Sequence, residues 1–336
     1  MKKRIGTGTF VMETPVSVLG FGSAAGKKED EGPLSGLFDY ISDDNTFGEK
    51  TWEKSESRMQ QIALSKALAN AELDPKKIDL IFSGDLLNQC IGSVFGLREF
   101  NIPFIGLYGA CSTMAEGIAL SCIAIDGGFA EKCAAITSSH FCSAERQFRL
   151  PLEYGGQRPQ SAQWTATASG AVILGNSEKA PVITHVTIGT IVDMGINDAN
   201  NMGAAMAPAA ADTIKRFFTD TSLTAQDIDL VLTGDLGEQG SSILCELLYR
   251  EGIDIRQKHN DCGLIIFDRE SQDVHSGGSG CGCSAAVLCA HILPRLCDGN
   301  LKKVLFVATG ALMSPTSQQQ GETIPGIAHA VLFQSR

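Results

Sequence analysis

The chain predicts an α/β fold of two similar halves with a site between them, on three observations. Short apolar runs alternate with helical ones, the second half repeats the first, and a cysteine stands where a strand gives way to a helix. Along the chain, Gly8 to Met12 and Val16 to Gly22 read as strand, and Gly26 to Glu49, rich in Gly, Asp and Glu, reads as loop. A helix starts at Ser57, carries Ile62, Ala63 and Ala67 on one face, and stops before Asp74-Pro75. Strands follow at Ile78 to Ser83, Ile102 to Leu107 and Cys133 to Ser138, with a helix after Cys111. Strands separated by helices in this way predict parallel βαβ units.

The repeat is specific in its residues. Ile78-Asp-Leu-Ile-Phe-Ser-Gly-Asp-Leu matches Ile228-Asp-Leu-Val-Leu-Thr-Gly-Asp-Leu, so Asp85 and Asp235 stand 150 residues apart. Cys283-Ser-Ala-Ala opens a helix ending near Cys297, and Lys303 to Gly310 gives the next strand, as Cys111-Ser-Thr-Met and Lys132 to Ser138 do earlier. The duplication predicts halves 1–178 and 179–336 related by a pseudo-twofold axis.

The stretch from Gly106 to Glu116 presents Cys111 at a helix start, with Thr113 and Glu116 at capping-box spacing. Such a position lowers a thiol's pKa through the helix dipole and offers N–H donors to an oxyanion or a carboxylate. Cys111 is therefore either a nucleophile or part of an anion cradle. A nucleophile needs a base, and the strand end Thr233-Gly-Asp-Leu-Gly-Glu-Gln supplies no histidine. The turn Gly277-Gly-Ser-Gly-Cys-Gly-Cys supplies neither histidine nor asparagine, although Cys281 or Cys283 can stand as a second thiol.

Composition excludes several classes. The 336 residues are 43% hydrophobic and 19% charged, enough apolar material for a large core. A net charge of −11 without a Lys/Arg stripe argues against nucleic acid. The most apolar helical stretch, Ser112 to Phe129, carries Glu116 and Asp126, so no membrane span is expected, and Met-Lys-Lys-Arg leads into no apolar signal region. The eleven cysteines sit mostly in apolar contexts, which fits reduced core residues and a cytoplasmic setting. No second cysteine pair or histidine completes a zinc pattern around Cys281 and Cys283. His259, beside Lys258 and Asp261, reads as a polar loop residue.

A duplicated βαβ core with a cysteine at the start of a buried helix resembles the thiolase superfamily of thiolases and β-ketoacyl synthases. Within it, Gly84-Asp-Leu-Leu-Asn-Gln, Gly109-Ala-Cys-Ser-Thr, Ala144-Glu-Arg-Gln-Phe-Arg, Met206-Ala-Pro-Ala-Ala-Ala-Asp and Gly277-Gly-Ser-Gly-Cys are similar to the stage V sporulation AD family of spore-forming bacteria. The resemblance implies a thiolase-like fold in α/β/α/β/α layers and a non-enzymatic protein that binds dipicolinic acid and helps load it into the developing spore; an acyltransferase using Cys111 is the alternative. A structural scaffold for the spore membrane transporter is the third reading. It further implies a homodimer, membrane transport proteins of the same operon as partners, a peripheral place at the cytoplasmic face of the forespore inner membrane, no cofactor, and calcium only as a companion of the ligand.

A receptor for a planar pyridine dicarboxylate should supply helix N–H groups and hydroxyl or amide donors around an apolar slot, to which an arginine fork can be added. The candidates are Cys111, Asn88 and Gln89 beside Asp85, Ser139 and His140 at a third strand end, and Asp235 and Cys281 from the second half. Arg146, Arg149 and Arg158 share one loop-rich stretch, where each either pairs with the ligand or balances nearby acids. Asp85 and Asp235 either fix turns or line the pocket, since an acid facing a dianion must be protonated or share a cation.

Overall fold

The computed structural model describes residues 3–148, 158–178 and 181–336. Among these residues, ten strands of three or more residues build the fold. In the first half they are β1 (Thr9–Ala25), β2 (Leu80–Gly84), β3 (Phe104–Gly106), β4 (Lys132–Ser139) and β5 (Ala168–Gly175). In the second they are β6 (Val182–Ile188), β7 (Leu230–Thr233), β8 (His259–Asp261), β9 (Lys303–Ala311) and β10 (Gly326–Gln334). The sheet runs β8-β7-β9-β10-β6-β1-β5-β4-β2-β3. Read outward from the β6/β1 seam, the two halves have the same order, and their pairings have the same directions.

The seam is antiparallel, with Thr9 opposite Thr187 and Val11 opposite His185. The expected parallel units are present, since β4, β2 and β3 run parallel, as do β9, β7 and β8. In each half four of the five strands run the same way and one does not: β5 and β10 are antiparallel to both neighbours, because each enters from the opposite end of the sheet.

Helices complete five layers. One outer layer holds α1 (Trp52–Asn70) and α2 (Ile91–Leu97), the middle holds α3 (Thr113–Asp126), and α4 (Phe141–Phe148) lies at the strand ends. The other outer layer holds α5 (Met202–Thr221) and α6 (Gly237–Arg250), and α7 (Cys281–Val287) joins α3 in the middle. Ala63, Leu64, Ala67 and Leu68 of α1 recur at helical spacing and pack on Ile136, Ala171 and Ile173. Met206, Ala210, Ile214 and Phe217 of α5 do the same against Leu305, Val307 and Leu332.

α3 is buried along most of its length, with Glu116 and Asp126 as its acids. Met114, Ile118, Ala119 and Cys122 are all fully buried, in one core with Phe82 and Leu174 from the first half and Phe306 and Val331 from the second. Burying each such large side chain contributes about 1.5–3 kcal/mol. The core therefore crosses the seam, and the strand ends of both halves converge on the N-terminus of α3.

Some boundaries differ from expectation. α1 begins at Trp52 rather than Ser57, because the Thr51 side chain accepts from the Lys54 N–H at 3.4 Å and caps it. The stretch 26–49 includes a helical turn, Lys27–Asp30, and a strand pair through Tyr40–Ile41. His259 is in edge strand β8, with its ring 3.0 Å from the Thr233 hydroxyl. It is a strand residue, not a loop residue.

Candidate functional site

The turn before α3 is a close-fitting junction between the halves. Ala110 has a left-handed backbone (φ 49°), which strains a non-glycine residue, and it aims Cys111 at the second half. Gly310 of β9 packs over this turn so tightly that a Cβ there would stand 2.3 Å from the Gly109 carbonyl oxygen. The capping box does not form. Thr113 is the first residue of α3 and its hydroxyl donates to the Ala110 carbonyl at 2.6 Å, while Glu116 Oε2 is buried without a hydrogen-bond partner. Burial raises the Glu116 pKa accordingly.

Cys111 is buried, with its thiol in hydrogen-bonding reach of Cys281 and Asp235. The Cys281 thiol itself donates to the Ala110 carbonyl at 3.1 Å. Asp235 is fully buried and accepts from the Ser279 hydroxyl at 3.0 Å, the Gly280 N–H at 2.9 Å and the Thr309 hydroxyl at 2.9 Å. Contact with the Cys281 thiol, burial and the Asp235 charge together push the Cys111 thiol well above its usual range. This reverses the expectation of a lowered thiol: the Cys281 contact and burial, with the Asp235 charge added, outweigh the helix dipole. The thiol is protonated at neutral pH, and the group beside it is an acid rather than a histidine base.

A cavity of about 810 Å³ opens over Cys111. The first half lines it with Asp85 to Cys90, Tyr108, Ala110, Thr165 and the α4 residues Ala144, Glu145, Gln147 and Phe148. The second half contributes Met202 and Met206 of α5, Ser279, and the segment from Ala311 to Ser317. In that segment Ser314 caps a short helix, α8 (Pro315–Gln319). Methionines and leucines form an apolar slot, and Asn88, Gln89, Gln147, Thr165, Ser279, Ser314, Thr316 and Ser317 supply amide and hydroxyl groups. Among the described residues the lining has two acids, Asp85 and Glu145, and no Lys, Arg or His.

The match to known proteins is extensive. Residues 6–334 fit the family profile described as stage V sporulation protein AD. The chain belongs to that family. It is 48% identical over 332 residues to stage V sporulation protein AD of Bacillus subtilis (strain 168), covering 99% of this chain and 98% of the relative. Solved structures extend the likeness in fold alone. The 3-oxoacyl-[acyl-carrier-protein] synthase III of Aquifex aeolicus VF5 superposes with a TM-score of 0.57 at 13% identity, covering 95% of this chain and 99% of that one. Cerulenin-bound OleA from Xanthomonas campestris gives 0.60 at 14% identity, over 95% and 96% of the two chains. The fold is thus thiolase-like, and the chain is a sporulation protein AD family member.

Of the residues expected at the site, Cys111, Asp85, Asn88 and Gln89 meet on the cavity wall. Asp235 and Cys281 are not on the cavity wall; both contact Cys111, and Asp235 also meets Ser279, which lines the cavity. Asp85 is held as a turn-fixing residue: it accepts from the Leu87 N–H at 2.9 Å and from the Ser93 N–H and hydroxyl at 2.7 and 2.6 Å. Its pKa is raised by burial against the pull of these donors.

Ser139 and His140 are not brought to the cavity. Ser139 donates to the Ala166 carbonyl at 2.7 Å and accepts from the Gly282 N–H at 3.1 Å, tying the halves together. His140 is fully buried, with Nε2 2.7 Å from the Asn45 carbonyl and Nδ1 accepting from the Cys142 N–H at 3.1 Å. Both ring nitrogens serve backbone groups, so no free base is left there. Arg146 pairs with Glu53 and lines a separate hollow of about 300 Å³ beside Asn88 and Gln147. Arg158 stacks on Trp164, 4.8 Å from the ring centroid, and lies 3.8 Å from Glu145. Arg149 lies outside the described residues. Tyr108, Gln147, Met206 and the 312–317 segment were not anticipated as lining. The Ser314-Pro315 helix start is a sequence signal for a turn there, but not for its place over Cys111.

Proposed function

We propose that this protein binds dipicolinic acid without transforming it and serves its uptake into the developing spore. One observation supports the reading above the others: a cavity of about 810 Å³, rich in neutral donors, ends on a thiol whose neighbours hold its proton in place. A planar aromatic acid suits an apolar slot rimmed by amides and hydroxyls. With acids as the charged lining among the described residues, its carboxylates meet Asn88, Gln89, Gln147 and the serine and threonine hydroxyls rather than an arginine fork. Calcium enters this reading only as cargo that arrives with the ligand.

Two partners belong to the same proposal. Edge strand β3 exposes Phe104 and Ile105, and Phe95 of α2 is exposed as well, apolar side chains suited to a second copy of the chain. We place the dimer peripherally at the cytoplasmic face of the forespore inner membrane, against membrane transport proteins of the same operon. Among the described residues no helix is long and apolar enough to cross a membrane.

Calorimetric titration with dipicolinate, with benzoate as control, tests the binding claim. Saturable heat absent with benzoate is expected, and no heat beyond the control would sink it. The position of Cys111 on the cavity wall in a synthase-like fold favours one rival, an acyltransferase. Incubation with acyl-CoA thioesters followed by mass spectrometry separates the two. An acyl-Cys111 adduct that turns over would establish the rival.

A further inference from the structure

Behind the cavity wall lies a buried polar network that neither the thiol nor the cavity lining accounts for. Glu56 of α1 is fully buried, as are Gln60, Ser93 and Ser138, and Asp85 is nearly so. The two acids flank Gly92, where a Cβ would lie 3.2 Å from the Asp85 carboxyl carbon and 3.3 Å from Glu56 Cγ. Two buried carboxyls this close together resist being charged at once, so one of them keeps its proton. Their hydrogen bonds decide which one holds it.

Asp85 receives two backbone N–H groups and a hydroxyl, which favour the anion. Glu56 is met by two hydroxyls, Ser138 at 3.2 Å and Ser143 at 2.8 Å. Ser138 Oγ accepts from Gln60 Nε2 at 2.8 Å, so its own hydrogen goes to Glu56 Oε1. Ser143 Oγ donates to Glu56 Oε2 and also lies 3.1 Å from the His140 carbonyl, so its one hydrogen is offered to two acceptors and a neutral Glu56 can supply the second hydrogen between them. Gln60 uses its other amide hydrogen on Ser93 at 2.9 Å. With a neutral Glu56, each of these groups has a partner. Burial and the Asp85 charge raise the Glu56 pKa in the same sense.

The other charged or titratable groups around Glu56 are engaged elsewhere. Glu53 on its own helix pairs with Arg146 of α4, and Glu145 lies 3.8 Å from Arg158. His140 at the end of β4 is kept neutral by burial, and burial pushes the Cys90 thiol up to about 11. Asp85, after β2, is the charge that acts on Glu56.

Ser143 sits in the first turn of α4, and α4 walls the cavity. Gln147 of the same helix donates to the Leu86 carbonyl at 3.0 Å and accepts from the Asn88 N–H at 3.1 Å, clamping the loop that Asp85 fixes. We infer that Glu56 is a positioning residue whose neutral carboxyl holds α4 and the 86–90 loop in the ligand-accepting shape, so that losing its proton loosens the wall and weakens dipicolinate binding. This rests on the proposed ligand only for its last step.

Three readouts on the full chain test it: urea unfolding from pH 5.5 to 8.5, hydrogen exchange of residues 141–148, and dipicolinate titration over the same pH range. The native state keeps a proton that the unfolded chain has lost above about pH 4.5, so Glu56 makes stability fall as pH rises, by up to about tenfold in the folding constant per pH unit. Glu56→Gln, which donates and accepts as the neutral acid does, is expected to remove that part of the slope, keep α4 protected and keep neutral-pH affinity. Glu56→Leu is expected to expose the α4 amides and weaken dipicolinate binding at least tenfold. An unchanged pH slope in Glu56→Gln would overturn the inference, even if Glu56→Leu fails to fold. So would unchanged α4 protection in a folded Glu56→Leu. If the wild type binds no dipicolinate at any pH, the proposed ligand is wrong, and slope and exchange still decide the role of Glu56.

Discussion

Each half of the molecule places an aspartate directly after an equivalent strand, Asp85 after β2 and Asp235 after β7, and each uses it differently. Asp85 takes its donors from its own half, Leu87 and Ser93, and fixes the loop that walls the cavity. Asp235 takes donors from Ser279, Gly280 and Thr309 and touches the thiol of the other half. Strand order has stayed alike in the two halves while the loops have reassigned the carboxylate. One aspartate shapes the wall, and the other joins Cys281 and burial in raising the Cys111 thiol.

The contact that makes this division possible is also the hardest to disturb. Gly310→Ala drives a methyl group into the Gly109 carbonyl, and a loss of more than about 3 kcal/mol in urea unfolding is expected. A smaller loss would mean that the halves meet less tightly than the 2.3 Å approach implies.

Substituting the two aspartates sharpens the contrast. Asp235→Ala strands three buried donors and is expected to cost roughly 3–5 kcal/mol, whereas Asp85→Ala, at a site nearer the cavity, costs about 2–3 kcal/mol. Chemical denaturation measures both. The reverse order would mean that the wall, not the thiol contact, is the more constrained region.

Buried carboxyls give a second contrast between the halves. Glu29 receives the Thr167 N–H at 2.9 Å on one oxygen, its other oxygen has no partner, and burial raises its pKa to about 7. Between pH 4.5 and about 7 the native state holds a proton that the unfolded chain has released. Stability therefore falls with rising pH across that window, by roughly 3 kcal/mol in full. Burial lowers His259 and His329 to about 4 and tilts the profile the other way below pH 6.5, so the difference between wild type and Glu29→Gln is the readout. That difference should widen steadily up to pH 7. Asp261 in the second half is also raised to about 7, but it accepts from Thr233, Leu236, Gly237 and Gly263. Asp261→Asn should accordingly lose stability at every pH.

Much of the fold was legible because duplication writes it twice. The match around Asp85 and Asp235 located equivalent strands, and the apolar run after Cys111 marked the middle helix. The site was legible where backbone geometry sets it: Cys111, Asp85, Asn88 and Gln89 stand at strand ends or helix starts. It was less so where distant partners decide. Thr113 and Glu116 have capping-box spacing, yet Ala110 turns left-handed and Thr113 enters the helix. The charges of Arg146 and Arg158 are plain in the sequence, but their pairing with Glu53 and Glu145 depends on how α4 docks. Nothing local marks Leu312 to Ser317 as cavity wall, since these residues reach Cys111 only through the pairing of the halves.

The most direct measurement of a proton-holding thiol is the rate at which iodoacetamide labels Cys111 in the native protein as pH is raised, followed by mass spectrometry. A thiol held between Asp235 and Cys281 predicts slow labelling through pH 9 and faster labelling at the same pH in Asp235→Asn. Rapid labelling of the wild type at pH 7, with an apparent pKa below about 7.5, is the behaviour of an activated cysteine and would contradict it.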